Sequence, residues 1–300
     1  MIRRCSRGTH SSRWRAPFLL LACALATVLL SGCATTLRPP PQAPASPAAA
    51  SPAQDMVVSA SQAVTPGVLG QLAERRVIFI GEVHNRPEHH EGQLAVIRAL
   101  HARGVDLALG LESFQRPAQR HLDDYSAGRI GEAELLRLSG YRERWGFDFG
   151  LYRAILEFAH DQYIPLVALN APSELVETVS RGGISALPPH QRLNIPWPPE
   201  PAQGKYRQRL ISAFGEHGKP AGDANAGHLQ RFLEVQMLWD ETMAQTAAEY
   251  LSANPRKTLV ILAGTVHVGY LDAIPRRLWR RYPTPQAWVF PDLAPAPSPT

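Results

Sequence analysis

The chain has 300 residues, enough for one sizeable core, and carries 31 Lys and Arg against 26 Asp and Glu for a formal charge of +5. That excess lies wholly in the first 32 residues, which hold five arginines and no acid, so the remainder is balanced and lacks the dense basic face that nucleic-acid binding needs. Of the three cysteines, Cys5 and Cys23 fall in the same segment and Cys33 directly follows it, which excludes a disulfide framework, a zinc-thiolate cluster and a cysteine nucleophile from the rest of the chain.

In chain order, residues 1–32 read as an export signal, with Arg3, Arg4, Arg7, Arg13 and Arg15 ahead of an apolar run from Pro17 to Leu30. Leu30-Ser31-Gly32-Cys33 matches a bacterial lipobox, so Cys33 is expected to be acylated, with palmitate among its chains, and to anchor the protein in the cell envelope. Ala34, in place of the Asp of a retention signal, points to the outer membrane and a periplasm-facing protein. Residues 33–68 are expected to be a Pro/Ala-rich linker, extended at ~3.1 Å per residue.

From residue 69 to 292 strand and helix patterns alternate, which predicts an α/β domain: a mostly parallel sheet flanked by helices, with a smaller helical subdomain. Strands are expected at 76–81, 106–112, 165–170, 258–263 and 287–290, and helices at 90–102, 117–127, 132–138, 151–161 and 173–180. Residues 184–226, rich in Pro and Gly, break the alternation; with a long helix over 228–251 they form a helical insertion at 184–253. Residues 293–300 read as a disordered tail.

Two strands end alike, on Gly81-Glu82-Val83-His84 and on Gly264-Thr265-Val266-His267. In a parallel sheet the carboxyl ends of the strands share one edge, and ligands bind in the crevice outside it, so His84, His267 and Glu82 are expected around one cleft. Glu112 closes another strand beside them, Tyr270 follows His267, and Asp240 interrupts the inward stripe of the long helix. A carboxylate and an imidazole together suit a general acid/base pair, a metal site or a charge-assisted hydrogen bond. His89 and His90 read as solvated helix-start residues, and Asn170 as a cap. Trp145 to Tyr152 brings four aromatics into eight residues, either as a hydrophobic cluster or as a wall for a flat ligand. No phosphate-binding glycine loop, G-x-S-x-G elbow or H-E-x-x-H is present.

Taken in order, Gly81-Glu-Val-His84, Gly110-Leu-Glu112, the Trp145 to Tyr152 segment with Ala168-Leu-Asn170, Trp239-Asp-Glu-Thr-Met243-Ala and Gly264-Thr-Val-His267 leading to Ile274-Pro275 resemble the ChaN-like haem-binding uptake lipoproteins of the Tiki/TraB/erythromycin-esterase-like superfamily. The resemblance spans residues 70 to 282. It implies haem as cofactor, a role in iron uptake at the outer membrane, a haem receptor as partner, and a homodimer in which haem lies between protomers on a tyrosine ligand. Tyr270 is the first choice for that ligand and Tyr152 the second, with Glu82, His84, Glu112, His267 and Asp240 lining the site. In relatives a basic residue often follows the second G-x-x-H, whereas here Val268 and Gly269 do, which weakens propionate pairing at that loop. Other branches imply the alternative: a metal-dependent hydrolase using Glu82, His84, Glu112 and His267, in which the imidazoles hold a divalent metal such as Zn or Mn and a carboxylate activates water. An envelope interaction module without either activity is a third reading.

Overall fold

The structure, a computed structural model, describes residues 56–192, 195, 199–216, 225–269 and 273–292. Six strands, β1 (Met56–Ser59), β2 (Val77–Glu82), β3 (Leu107–Gln115), β4 (Leu166–Asn170), β5 (Thr258–Gly264) and β6 (Gln286–Phe290), form one sheet in the order β1-β6-β2-β5-β3-β4. Every pairing is parallel. The helices of eight residues or more are α1 (Pro66–Ala73), α2 (Pro87–Ala102), α3 (Gln119–Ser126), α4 (Glu132–Ser139), α5 (Gly150–Asp161), α6 (Ser173–Gly182), α7 (Gly204–Glu216), α8 (Ala226–Ala253) and α9 (Ile274–Arg281). Among the described residues no helix is long and apolar enough to cross a membrane.

Parallel strands buried on both faces read as unbroken apolar runs, and β2, β4 and β5 are buried at every position. Alternate residues face opposite layers. Ile78, Ile80, Leu109, Leu111, Val260 and Leu262 pack under α1 to α5, while Phe79, Ala108, Val167, Leu169, Leu259 and Ile261 pack under α8 and α9. The second half of α8, with Met243, Ala247 and Leu251, therefore belongs to the sheet's own layer. This corrects the expectation of a separate insertion over 184–253: only its first part forms satellite cores, around Leu175, Val179 and Leu238 and around Tyr206, Leu210 and Leu233.

A second correction concerns the linker. Residues 56–59 pair with β6, and Ala60–Ala63 and the start of α1 follow at once, so the folded part begins well before residue 69. At the opposite edge the Gln119 side chain takes the place of a neighbouring strand. Its amide donates to the Leu166 carbonyl at 2.8 Å and its oxygen accepts from the Ala168 N–H at 2.7 Å. The export signal, the lipobox with Cys33, Tyr270 and the C-terminal tail lie outside the described residues.

Candidate functional site

The strand order places β5 between β2 and β3, so the carboxyl ends of three chemistry-bearing strands stand side by side. Glu82 is in register with Gly264. On the other side of β5, Leu111 pairs with Leu262, and the β3 register then slips between Leu111 and Gln115, where Glu112 sits. The two G-x-x-H segments, Glu82 and Glu112 thus meet at one edge, as two histidine clusters divided by Gly264.

The first cluster centres on Glu82, which is only 2 % exposed. Its Oε1 accepts from Tyr152 OH at 2.5 Å and from His84 Nδ1 at 2.7 Å, and its Oε2 accepts from Gln93 Nε2 at 2.7 Å. His90 closes the group, 3.1 Å from Gln93 Oε1 and 3.1 Å from the His84 carbonyl. Burial alone would raise the Glu82 pKa, but the bond and charge of His84 and the Tyr152 hydroxyl hold it below the ordinary value. His84 shows the converse: burial opposes its charge, and Glu82 with Glu112 overcomes that and raises its pKa. Its side chain remains 23 % exposed. The rings of Trp145 and Phe147 flank it at 4.7 and 4.8 Å between centroids.

The second cluster is closed. After β5 the chain winds into a single turn, Thr265–Val268, which carries His267 inward to 4 % exposure. His267 Nδ1 lies 2.6 Å from Asp240 Oδ1, and its Nε2 3.5 Å from Glu112 Oε1. Asp240 Oδ2 accepts from the buried Tyr206 hydroxyl, and Glu112 Oε2 accepts the Gly264 N–H at 2.6 Å. Burial works against the imidazolium, yet Glu112 and then Asp240 lift the His267 pKa to about 9. Next along α8, Glu241 binds Arg277 Nε at 3.0 Å and also Arg281, pinning α9 to α8.

Gly264 lets the clusters touch. A Cβ there would stand 3.0 Å from His84 Cε1 and 3.1 Å from its Nε2, with Glu112 Oε2 at 3.6 Å. A methyl group at this position would require the His84 ring to give by a few tenths of an ångström.

Several expectations change. Tyr152 cannot serve as a tyrosinate iron ligand: it is 2 % exposed, its proton is held by Glu82, and burial beside that carboxylate drives its pKa far above the ordinary value. The metal-hydrolase arrangement is not assembled. Among the described residues no group of three His, Cys, Asp or Glu could hold a metal ion; Glu82 is engaged by Tyr152, His84 and Gln93, and Glu112 by the Gly264 N–H with His267 3.5 Å away. His90 is buried rather than solvated, and His89 accepts the Val83 N–H at 2.9 Å through Nδ1. Asn170 positions the site backbone, donating to the Glu112 carbonyl at 3.0 Å. The aromatic run divides: Trp145 and Phe147 reach the crevice while Phe149 packs on Tyr141.

Sequence reasoning missed Gln93 and Tyr206. Gln93 lies three residues after His90 on α2, and the one available signal was Pro87, which starts that helix early enough to turn both side chains inward. Tyr206 gave no signal, since it lies in the Pro-rich break.

Residues 68–278 match the sequence signature of the family described as haem-binding uptake, Tiki superfamily, ChaN. Among solved structures, the ChaN of Campylobacter jejuni, titled for cofacial heme binding, superposes with a TM-score of 0.62 at 17 % identity, covering 77 % of this chain and 86 % of that one. That likeness bears on the fold. A curated relative, protein RETICULATA-RELATED 5, chloroplastic, of Arabidopsis thaliana, is 24 % identical over 234 residues. The match takes in 71 % of this chain but only 30 % of that much longer protein.

Proposed function

This chain belongs to the ChaN family of the Tiki superfamily, described as haem-binding uptake, and from that premise we propose that it is an outer-membrane lipoprotein that binds haem on its periplasmic side and assists iron uptake. The observation that carries the reading is the placement of the partly exposed His84 at the sheet edge against the rings of Trp145 and Phe147, which also meet each other at 5.5 Å. A porphyrin asks for a flat apolar wall, a cation for its propionates and a ligand for its iron. Trp145 and Phe147, tilted 57° to each other, supply apolar aromatic surface toward the first need. His84, with its Nδ1 held by Glu82 and its pKa raised, fits the second as an imidazolium.

For the iron we assign Tyr270, the residue that follows Gly269 in the sequence. Tyrosine is an established haem ligand, and its hard anionic oxygen suits the ferric state in which haem would be carried as cargo. Val83 and Phe147, 48 % and 36 % exposed, leave an apolar rim beside the crevice that suits a second copy sharing the haem, before delivery to a receptor. The anchor rests on Leu30-Ser31-Gly32-Cys33.

Hemin titrated into the detergent-solubilised full chain is expected to give a saturable Soret shift. Tyr270→Phe is expected to abolish its tyrosinate character, and His84→Ala to weaken binding about tenfold, the loss of one charge-assisted contact. An unshifted Soret band would sink the haem reading. Incorporation of labelled palmitate, lost in Cys33→Ser, tests the anchor separately.

A further inference from the structure

On the α8 side of the molecule, away from the haem crevice, α6, α7 and α8 enclose a cleft of about 290 Å³. Its walls are Val176 of α6, Phe214 of α7 and Phe232, Val235 and Trp239 of α8. The rings of Phe214 and Phe232 meet at 5.4 Å and 52°. Two features set it apart from an ordinary gap in a helical layer.

The first is charge. Arg231 lines the cleft, with His228 one turn earlier, and among the described residues no carboxylate forms an ion pair with Arg231. The acids of α6 and α8 are committed elsewhere, and α7 carries one, Glu216, at its last position. On α6, Glu174 pairs with Arg144 and Glu177 with Arg181. On α8, Glu234 takes the Ile184 N–H and the Gln230 amide, Asp240 holds His267, Glu241 holds Arg277 and Glu249 faces Arg116. The second is Gln236, a lining residue 7 % exposed whose Oε1 has no hydrogen-bond partner among the described residues. A buried amide oxygen left so has lost its water without gaining a partner.

An aromatic cleft with one cation that no described carboxylate pairs is the composition of a small-molecule site, at the lower end of the usual range of ~300–1,000 Å³. We propose that it binds a small amphipathic carboxylate: the apolar body lies between Phe214, Phe232 and Trp239, and the carboxylate meets the Arg231 guanidinium. The assignment does not depend on haem binding. Trp239 joins the two regions, because its ring also stands edge-on to His267 at 6.0 Å, so occupancy of the cleft is readable in tryptophan fluorescence.

The probe is 4-phenylbutyrate, titrated into the full chain by calorimetry and by fluorescence, with 4-phenylbutan-1-ol as the uncharged counterpart. Saturable binding is expected for the acid, weaker by about tenfold or more for the alcohol and in Arg231→Gln, as loss of one charge-assisted pair predicts. The quench is expected to vanish in Trp239→Phe, while the hemin titration stays unchanged throughout. Phe232→Ala, which leaves every charge in place, is expected to weaken acid and alcohol alike. Equal affinity for acid and alcohol, no effect of Arg231→Gln, or no binding of the acid overturns the proposal. Displacement of the acid by hemin overturns it too, by making the cleft part of the haem crevice. Failure of the hemin titration alone, with acid binding intact, removes the haem reading and leaves this one standing.

Discussion

His84 and His267 leave their strands from the same four-residue pattern, and the two surroundings they reach differ in a way the pattern alone does not specify. After Glu82 the chain makes an open turn before Pro87, so His84 stays at the rim with one nitrogen tied to Glu82 and its ring packed against two aromatics. After Gly264 it winds at once into Thr265–Val268, so His267 is drawn beneath the edge and clamped between Asp240 and Glu112. A shared motif fixes where a side chain departs; the backbone of the next few residues decides whether it meets solvent or an ion pair. The open imidazole is free to meet a ligand, while the closed one fastens α8 to the end of β5.

That contrast can be broken experimentally. The largest effect is expected from Asp240→Ala, which leaves a buried imidazolium without its main hydrogen-bond partner and is expected to cost about 3–5 kcal/mol in urea unfolding; a loss below ~1 kcal/mol would mean that the closed cluster is not an ion pair. Next comes pH. The folded-state pKa of His267, about 9, lies above its ordinary 6.5, so its contribution is complete below pH 6.5 and drains away as pH rises through 9. At about 1.4 kcal/mol per pKa unit this amounts to about 3 kcal/mol, and the alkaline fall in stability is expected to flatten in His267→Gln.

On the open side, Tyr152→Phe removes one donor from Glu82 and is expected to cost about 1–3 kcal/mol while leaving the Soret position of bound hemin unchanged. A spectral change would return Tyr152 to the iron. Gly264→Ala is expected to cost about 1–2 kcal/mol through overpacking against His84, and to weaken hemin binding by displacing that ring. Smallest is Phe147→Ala, within about 0.5 kcal/mol for an exposed side chain, detectable only as weaker hemin affinity.

The sheet was largely legible because buried parallel strands announce themselves: β2 to β6 fall within a residue or two of the expected ranges at their starts, though β3 runs on to Gln115. The edge strand β1 escaped. Met56–Ser59 is four residues long, half-exposed, without alternation, and adjoins the Pro/Ala-rich stretch. Within the site, the meeting of Glu82, His84, Glu112 and His267 followed from strand endings, which sequence carries well. Tyr152 and Arg277 were opaque for the opposite reason. A tyrosine in an aromatic run and an arginine in a basic helix look like packing and solvated surface, and only the tertiary partners Glu82 and Glu241 give them other roles.

The Gln119 amide spanning Leu166 and Ala168 has a consequence for crowding at a surface. A parallel sheet with two bare margins could add molecules at either side and grow into a ribbon, a hazard that proteins commonly meet by blunting one margin. Here one donor and one acceptor of the β4 margin, the Ala168 N–H and the Leu166 carbonyl, are already spoken for. Lateral annealing of neighbours, if they are packed densely, is thereby confined to the β1 side, and two copies joined there have no second margin with which to extend the chain of contacts.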